Sequence, residues 1–85
     1  MKVKDEKLTI ALNRFIDEMD EVLGQKESEG KIGWDDPKCK QYIFHQMIGD
    51  ARTLCHEQLT PDKKKKIYIN IANRCMMLWY QTSEE

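Results

Sequence analysis

What this chain lacks narrows it first. Formal net charge is only −1 over 85 residues, so no whole-domain basic field exists to hold DNA or RNA. No apolar run approaches the ~20 residues that a membrane-spanning helix needs. The charged stretch Met1–Lys7 has no apolar segment behind it like that of a secretion signal. Three cysteines, Cys39, Cys55 and Cys75, are an odd number at wide spacing without a Cys-x-x-Cys pair. They fit small buried hydrophobes in a reducing compartment rather than a disulfide framework. The expectation is a cytoplasmic protein that partners neither nucleic acid nor membrane. Internal repeats, low-complexity tracts, a glycine-rich phosphate loop and a Ser-His-Asp order are also missing.

What is present is helical patterning. Hydrophobic residues make up 40% of the chain and charged residues 34%, a balance that suits a folded helical domain. Leu8, Leu12, Phe15, Ile16, Met19, Val22 and Leu23 recur at three- and four-residue steps, which predicts an amphipathic helix over 5–24. Gly24 supplies a natural stop for it. Residues 25–36 read as the longest loop, with Trp34 beside Gly33. Asp36-Pro37 is a capping side chain followed by proline at the first helical position, and a helix is expected over 37–58. Its core face would be Phe44, Met47, Ile48, Ala51, Leu54 and Cys55, with Tyr42, His45, Gly49, Arg52 and His56 alongside. Thr60-Pro61 repeats the start signal, and a third helix is expected over 61–82. There, Ile71, Ala72, Cys75, Leu78 and Trp79 share one face, while Lys66, Asn70, Asn73 and Met77 line an adjacent stripe.

The expected fold is a single all-α domain over 1–85: a three-helix antiparallel bundle, or a hairpin plus N-terminal helix. A chain of this length buries only about 60–65% of the surface its unfolded form exposes. Completion by homo-oligomerisation is therefore expected, most simply as a dimer with a four-helix core.

Several residues admit two readings. Trp34 either anchors its loop on the core or stacks on a base, the latter worth ~1–3 kcal/mol. Gly49, inside a helix, costs ~1 kcal/mol relative to alanine and points to close helix packing or to a ligand. Lys63–Lys66 are either solvated or, with the free N–H groups of a helix start, hold an anion such as phosphate. His45 and His56 lie three turns apart and cannot share one metal within a chain. Carboxylates in the two later helices are scarce, so neither a catalytic residue nor a metal site nor a bound cofactor is expected.

Gly33-Trp34 in a loop, a long helix, and then Ile71-Ala72-Asn73 followed by Met76-Met77-Leu78 resemble the phage-borne, MazG-like all-α nucleoside triphosphate pyrophosphohydrolases. That family shows a Gly-Trp loop, a Glu-Glu-x-x-Glu helix, and a helix reading Asp-Val-Ala-Asn-Phe-Ala-Met-Met-Ile. The likeness covers about residues 30–80. Laid on the pattern, the acidic metal-binding helix falls on Gly49, Asp50, Ala51, Arg52 and Thr53, where only Asp50 keeps a carboxylate. The later Glu-x-x-Asp falls on Ile67 and Asn70. Magnesium binds through carboxylate oxygens, so the resemblance implies a degenerate member that has lost most of its metal ligands.

The resemblance implies a nucleotide pocket of altered polarity, with Arg52, Asn70 and Lys66 holding phosphate directly, Asn73 and His45 as further contacts, and Trp34 stacking. The expected function is sequestration of a nucleotide-type small molecule, an immune-signal sponge acting in the cytoplasm of an infected bacterial host. Two alternatives stand beside it. One is a protein-interaction module that inhibits a host defence protein through an adaptable aromatic and methionine surface. The other is a residual pyrophosphohydrolase holding metal through Asp50 and Glu57 or across a subunit contact.

Overall fold

The computed structural model describes residues 2–85. They form three helices, α1 (Glu6–Ser28), α2 (Lys40–His56) and α3 (Pro61–Ser83), with a 3-10 turn over Pro37–Cys39 ahead of α2 and no strand among the described residues. The all-α class is as the periodicity predicts.

Local capping side chains place the starts of α1, of the 3-10 turn ahead of α2, and of α3. Asp5 Oδ1 accepts the Leu8 N–H at 2.8 Å and opens α1. Asp36 Oδ1 accepts the Lys38 N–H at 2.9 Å, with Pro37 at the first helical position. Thr60 Oγ1 accepts the Lys63 N–H at 3.3 Å ahead of α3. These side chains satisfy N–H groups that have no partner inside the helix.

The end of α1 departs from expectation. The helix runs through Gly24 to Ser28, because the glycine that terminates it is Gly30, at φ +76°. There Lys31 N–H donates to Lys26 O at 3.1 Å and Gly30 N–H to Glu27 O at 3.0 Å. This crossed pair closes a helix on a left-handed residue. Gly24 keeps helical geometry, and a Cβ placed on it would meet nothing within 4 Å.

Helix α3 is the hub, with α1 and α2 both packed on it. Asp50 of α2 pairs with Arg74 of α3, and Lys40, at the start of α2, reaches Glu85 beyond the end of α3 at 3.2 Å. A ten-residue advance along α2 thus matches an eleven-residue retreat along α3, the register of antiparallel neighbours. Met19 of α1 meets Asn73 of α3, whose Nδ2 donates to its carbonyl at 3.5 Å.

The faces that pack match the predicted ones only in part. On α2 the line turned inward is Ile43, Met47, Asp50 and Leu54, while Phe44, Ile48, Ala51 and Cys55 are exposed. Ile43 is buried and Asp50 turns toward Arg74, so the helix is rotated about one residue from the predicted face. On α3 the buried positions are Ile69, Asn73 and Gln81, from the stripe beside the predicted core face. Cys75 and Trp79, expected in the core, are exposed, Trp79 at 69%. The only apolar side chains that reach full burial among the described residues are Ile43 and Ile69.

Candidate functional site

A concave surface lies between α1 and the first half of α3. A cavity of about 300 Å³ is lined by Ala11, Arg14, Phe15 and Glu18 from α1 and by Lys65, Tyr68 and Ile69 from α3. A second, more polar space of about 630 Å³ continues from it, bounded by Glu18, Glu21, Val22 and Gln25 opposite Asp62, Lys65, Lys66, Ile69 and Asn70. Glu18, Lys65 and Ile69 border both, so the two form one groove.

Helical spacing explains this lining. Ala11, Arg14, Phe15 and Glu18 are three or four apart and face one way, as do Lys65, Tyr68 and Ile69. The smaller space carries two cations, Arg14 and Lys65, against one carboxylate, Glu18, and adds the rings of Phe15 and Tyr68. The larger balances Lys65 and Lys66 against Glu18, Glu21 and Asp62. An anionic group is therefore favoured in the smaller space and opposed in the larger.

The six residues singled out from the sequence do not converge. Lys66 and Asn70 share the larger space. Asn73, one turn beyond Asn70, is at 0% exposure; its amide faces the Met19 carbonyl, and it offers no surface to a ligand. Trp34 lies near the far end of α3, roughly 20 Å along the helix from Lys66, with its ring 5.1 Å from that of Tyr80. The Trp34 carbonyl accepts the Gln81 Nε2–H at 2.7 Å. Of the two readings of Trp34, the loop anchor is the one this geometry matches. His45 and Arg52 stand on the exposed side of α2 and line neither space. Gly49 carries neither close packing nor a pocket, since a Cβ there would meet nothing within 4 Å; nothing in the structure explains it.

The lysine run divides. All four lysines are exposed, and of them Lys65 and Lys66 border the groove. Around the Asp50–Arg74 pair, burial together with the nearby Arg74 and Lys31 charges pulls the Lys26 ammonium below the ordinary lysine range, with Asp50 and Glu29 acting in the opposite sense. The Oδ1 of Asn73 and the Oε1 of Gln81 are buried without a partner in the chain. Among the described residues no three His, Cys, Asp or Glu side chains gather as a metal site requires, and no helix is long and apolar enough to cross a membrane.

Sequence reasoning missed Arg14, Phe15, Lys65 and Tyr68 as a group. The three-residue spacing of Lys65 and Tyr68 was visible. Their apposition to Arg14 and Phe15 depends on how α1 lies across α3, and no local signal encodes that. Comparison with known proteins adds nothing to this geometry: no family model, curated protein or solved structure matches the chain.

Proposed function

We propose that the chain is a non-catalytic binding module that holds a nucleotide-type small molecule in the groove between α1 and α3. One observation carries the reading: Arg14 and Lys65 stand at a cavity that also presents the rings of Phe15 and Tyr68. Cations suit a phosphate, arginine through its planar fork, and an aromatic wall suits a base, each stacked base being worth ~1–3 kcal/mol. About 300 Å³ lies at the lower end of the range of small-ligand pockets.

The reading keeps the sequestering role that the resemblance to the MazG-like pyrophosphohydrolases of phages implies but moves the pocket off α2, since Arg14 and Phe15 lie outside the residues that carry the resemblance. Arg14, Lys65 and Tyr68 take the roles first given to Arg52, Lys66 and Trp34. Asp50, the one carboxylate kept from the family's acidic helix, is engaged by Arg74. A module of this kind withholds its ligand rather than converting it, which is the action of a sponge against a nucleotide immune signal.

Thermal shift against mono-, di- and cyclic dinucleotides, with and without Mg²⁺, tests the proposal. A ligand at one hundred times its Kd stabilises by about 2.7 kcal/mol. The expected shift is independent of Mg²⁺, falls at least tenfold in apparent affinity in Arg14→Ala and in Lys65→Ala, and persists in Arg52→Ala. Absence of any shift contradicts the proposal. Pyrophosphate release that depends on Asp50 replaces it with the enzyme reading.

A further inference from the structure

The outer surface of α2 and α3 is strongly apolar for a chain with 34% charged residues. From Ile67 to Ser83 the only charged side chain is Arg74, and Arg74 is occupied by Asp50. Asn73 and Cys75 flank Arg74 and project to opposite sides of the plane containing α2 and α3. Asn73 goes to α1, so Cys75 points away from α1, and Trp79, one turn on, continues its stripe. Because α2 runs antiparallel, Ala51, the residue after Asp50, points to the same side as Cys75. Phe44, Ile48 and Cys55 share the Ala51 stripe at helical spacing. The side opposite α1 is thus mainly apolar, with Phe44 at 52% and Trp79 at 69% exposure, and Lys40, one turn before Phe44 on the same stripe, is paired with Glu85.

The accessible area indicates what covers it. A compact monomer of 10.1 kDa exposes roughly 5,300 Å² by the surface-to-mass relation, whereas this chain exposes 7104 Å². The excess over the whole chain is roughly 1,800 Å², to which exposed Leu8, Ile10 and Ile16 of α1 also contribute. Permanent homodimers bury about 1,000–2,500 Å² on each protomer, and the excess falls inside that range. The radius of gyration, 14.3 Å, likewise exceeds the roughly 12 Å of a compact chain of this length.

We infer that a second copy of this chain covers the α2–α3 face opposite α1, the two copies meeting through Phe44, Ile48, Cys75 and Trp79 in a two-fold, four-helix core. The inference needs none of the ligand contacts, although Tyr68 of the groove stands seven residues before Cys75 on the same stripe of α3. An isologous contact needs a self-complementary surface, and a mainly apolar face with Lys40 paired to Glu85 and Arg52 at its edge, one turn from Ile48, keeps like charges to the rim.

Sedimentation equilibrium of the full chain tests it, with a mass of twice 10.1 kDa expected. Trp79→Glu and Ile48→Glu are each expected to weaken association at least a hundredfold. Since these variants fail to fold if the dimer is obligate, thiol alkylation of the native chain supplies an independent measurement. Cys55 and Cys75 are expected to react at least tenfold more slowly above the dissociation constant than below it. A monomer at high concentration whose Cys55 and Cys75 react at the rate of an unfolded peptide overturns the inference and leaves the face to a different protein.

Discussion

The two sides of α3 invert the usual distribution of polarity. The side packed on α1 and α2 buries Asn73 at 0% exposure and Gln81 at 5%, with Ile69 as its only fully buried apolar residue. The side turned outward presents Cys75, Trp79 and half-buried Ile71 and Leu78. Hydrophobic burial stabilises at roughly 25 cal/mol per Å², so a chain left with this arrangement would forgo much of its available driving force. The difference teaches what each side does. The inner side specifies geometry: the Asn73 amide meets the Met19 carbonyl, the Gln81 amide ties the Trp34 loop to the end of α3, and the Asp50–Arg74 pair sets the α2 register. The outer side carries the exposed apolar area on which the inferred contact with a second copy rests.

The most forceful way to break this comparison is to truncate one residue on each side. Ile69→Ala is expected to destabilise by about 2–5 kcal/mol, as deletion of a buried branched side chain does, whatever the protein concentration. Trp79→Ala is expected to destabilise by a similar amount where the dimer is populated and by less than about 0.5 kcal/mol in dilute solution, as an exposed position would. Urea unfolding at two concentrations separates the two. Equal, concentration-independent losses at both sites would show the sides to be alike.

A smaller effect sharpens the account of α1. Gly30→Ala is expected to destabilise by about 1 kcal/mol, since the added Cβ opposes the left-handed conformation that ends the helix. Gly24→Ala is expected to stabilise by about 0.5–1 kcal/mol, because Gly24 lies within the helix and a Cβ there meets nothing. Thermal denaturation of the pair reads both signs, and a loss of stability in Gly24→Ala would mean that α1 ends where the first glycine stands.

The smallest expected effect concerns Lys26, on the inner side. Its pKa is lowered by burial, Arg74 and Lys31, so the unfolded chain holds this proton more tightly than the folded one. Between the lowered folded value and the ordinary lysine value the unfolded state binds more protons, and stability attributable to this group therefore rises with pH through that window. Lys26→Met is expected to raise the melting temperature slightly at neutral pH and to flatten that alkaline rise. Differential scanning calorimetry from pH 7 to 11 checks it.

The helix starts were legible in the sequence because they rest on neighbouring residues. Asp36-Pro37 and Thr60-Pro61 carry the cap and the proline side by side, and both open helical turns where the pattern places them. The end of α1 was less legible, since Gly24 and Gly30 are both available and only the backbone hydrogen bonds around Gly30 distinguish them. Which face packs was legible only in part for α2 and α3: Met47 and Leu54 turn inward as predicted, while Phe44, Cys55, Cys75 and Trp79 do not. Each carries two apolar stripes about one residue apart in rotation, and periodicity alone assigns the richer one to the core of the chain. Here the richer stripe faces outward. A second chain in contact with it would satisfy the same hydrophobic pattern, and a single sequence does not distinguish the two. Of the candidate site, Lys66 and Asn70 were found because they share one side of one helix. Arg14 and Phe15 were not, because their role depends on a crossing between helices some forty residues or more apart in the chain.

The most direct test of the central claim, that the outer face of α2 and α3 is closed by a second copy, is the dependence of unfolding on protein concentration. Above the dissociation constant, where folded dimer unfolds to separated chains, apparent stability is expected to fall by about 2.7 kcal/mol per hundredfold dilution, with a matching fall in the urea midpoint. A midpoint unchanged across that range would contradict the account.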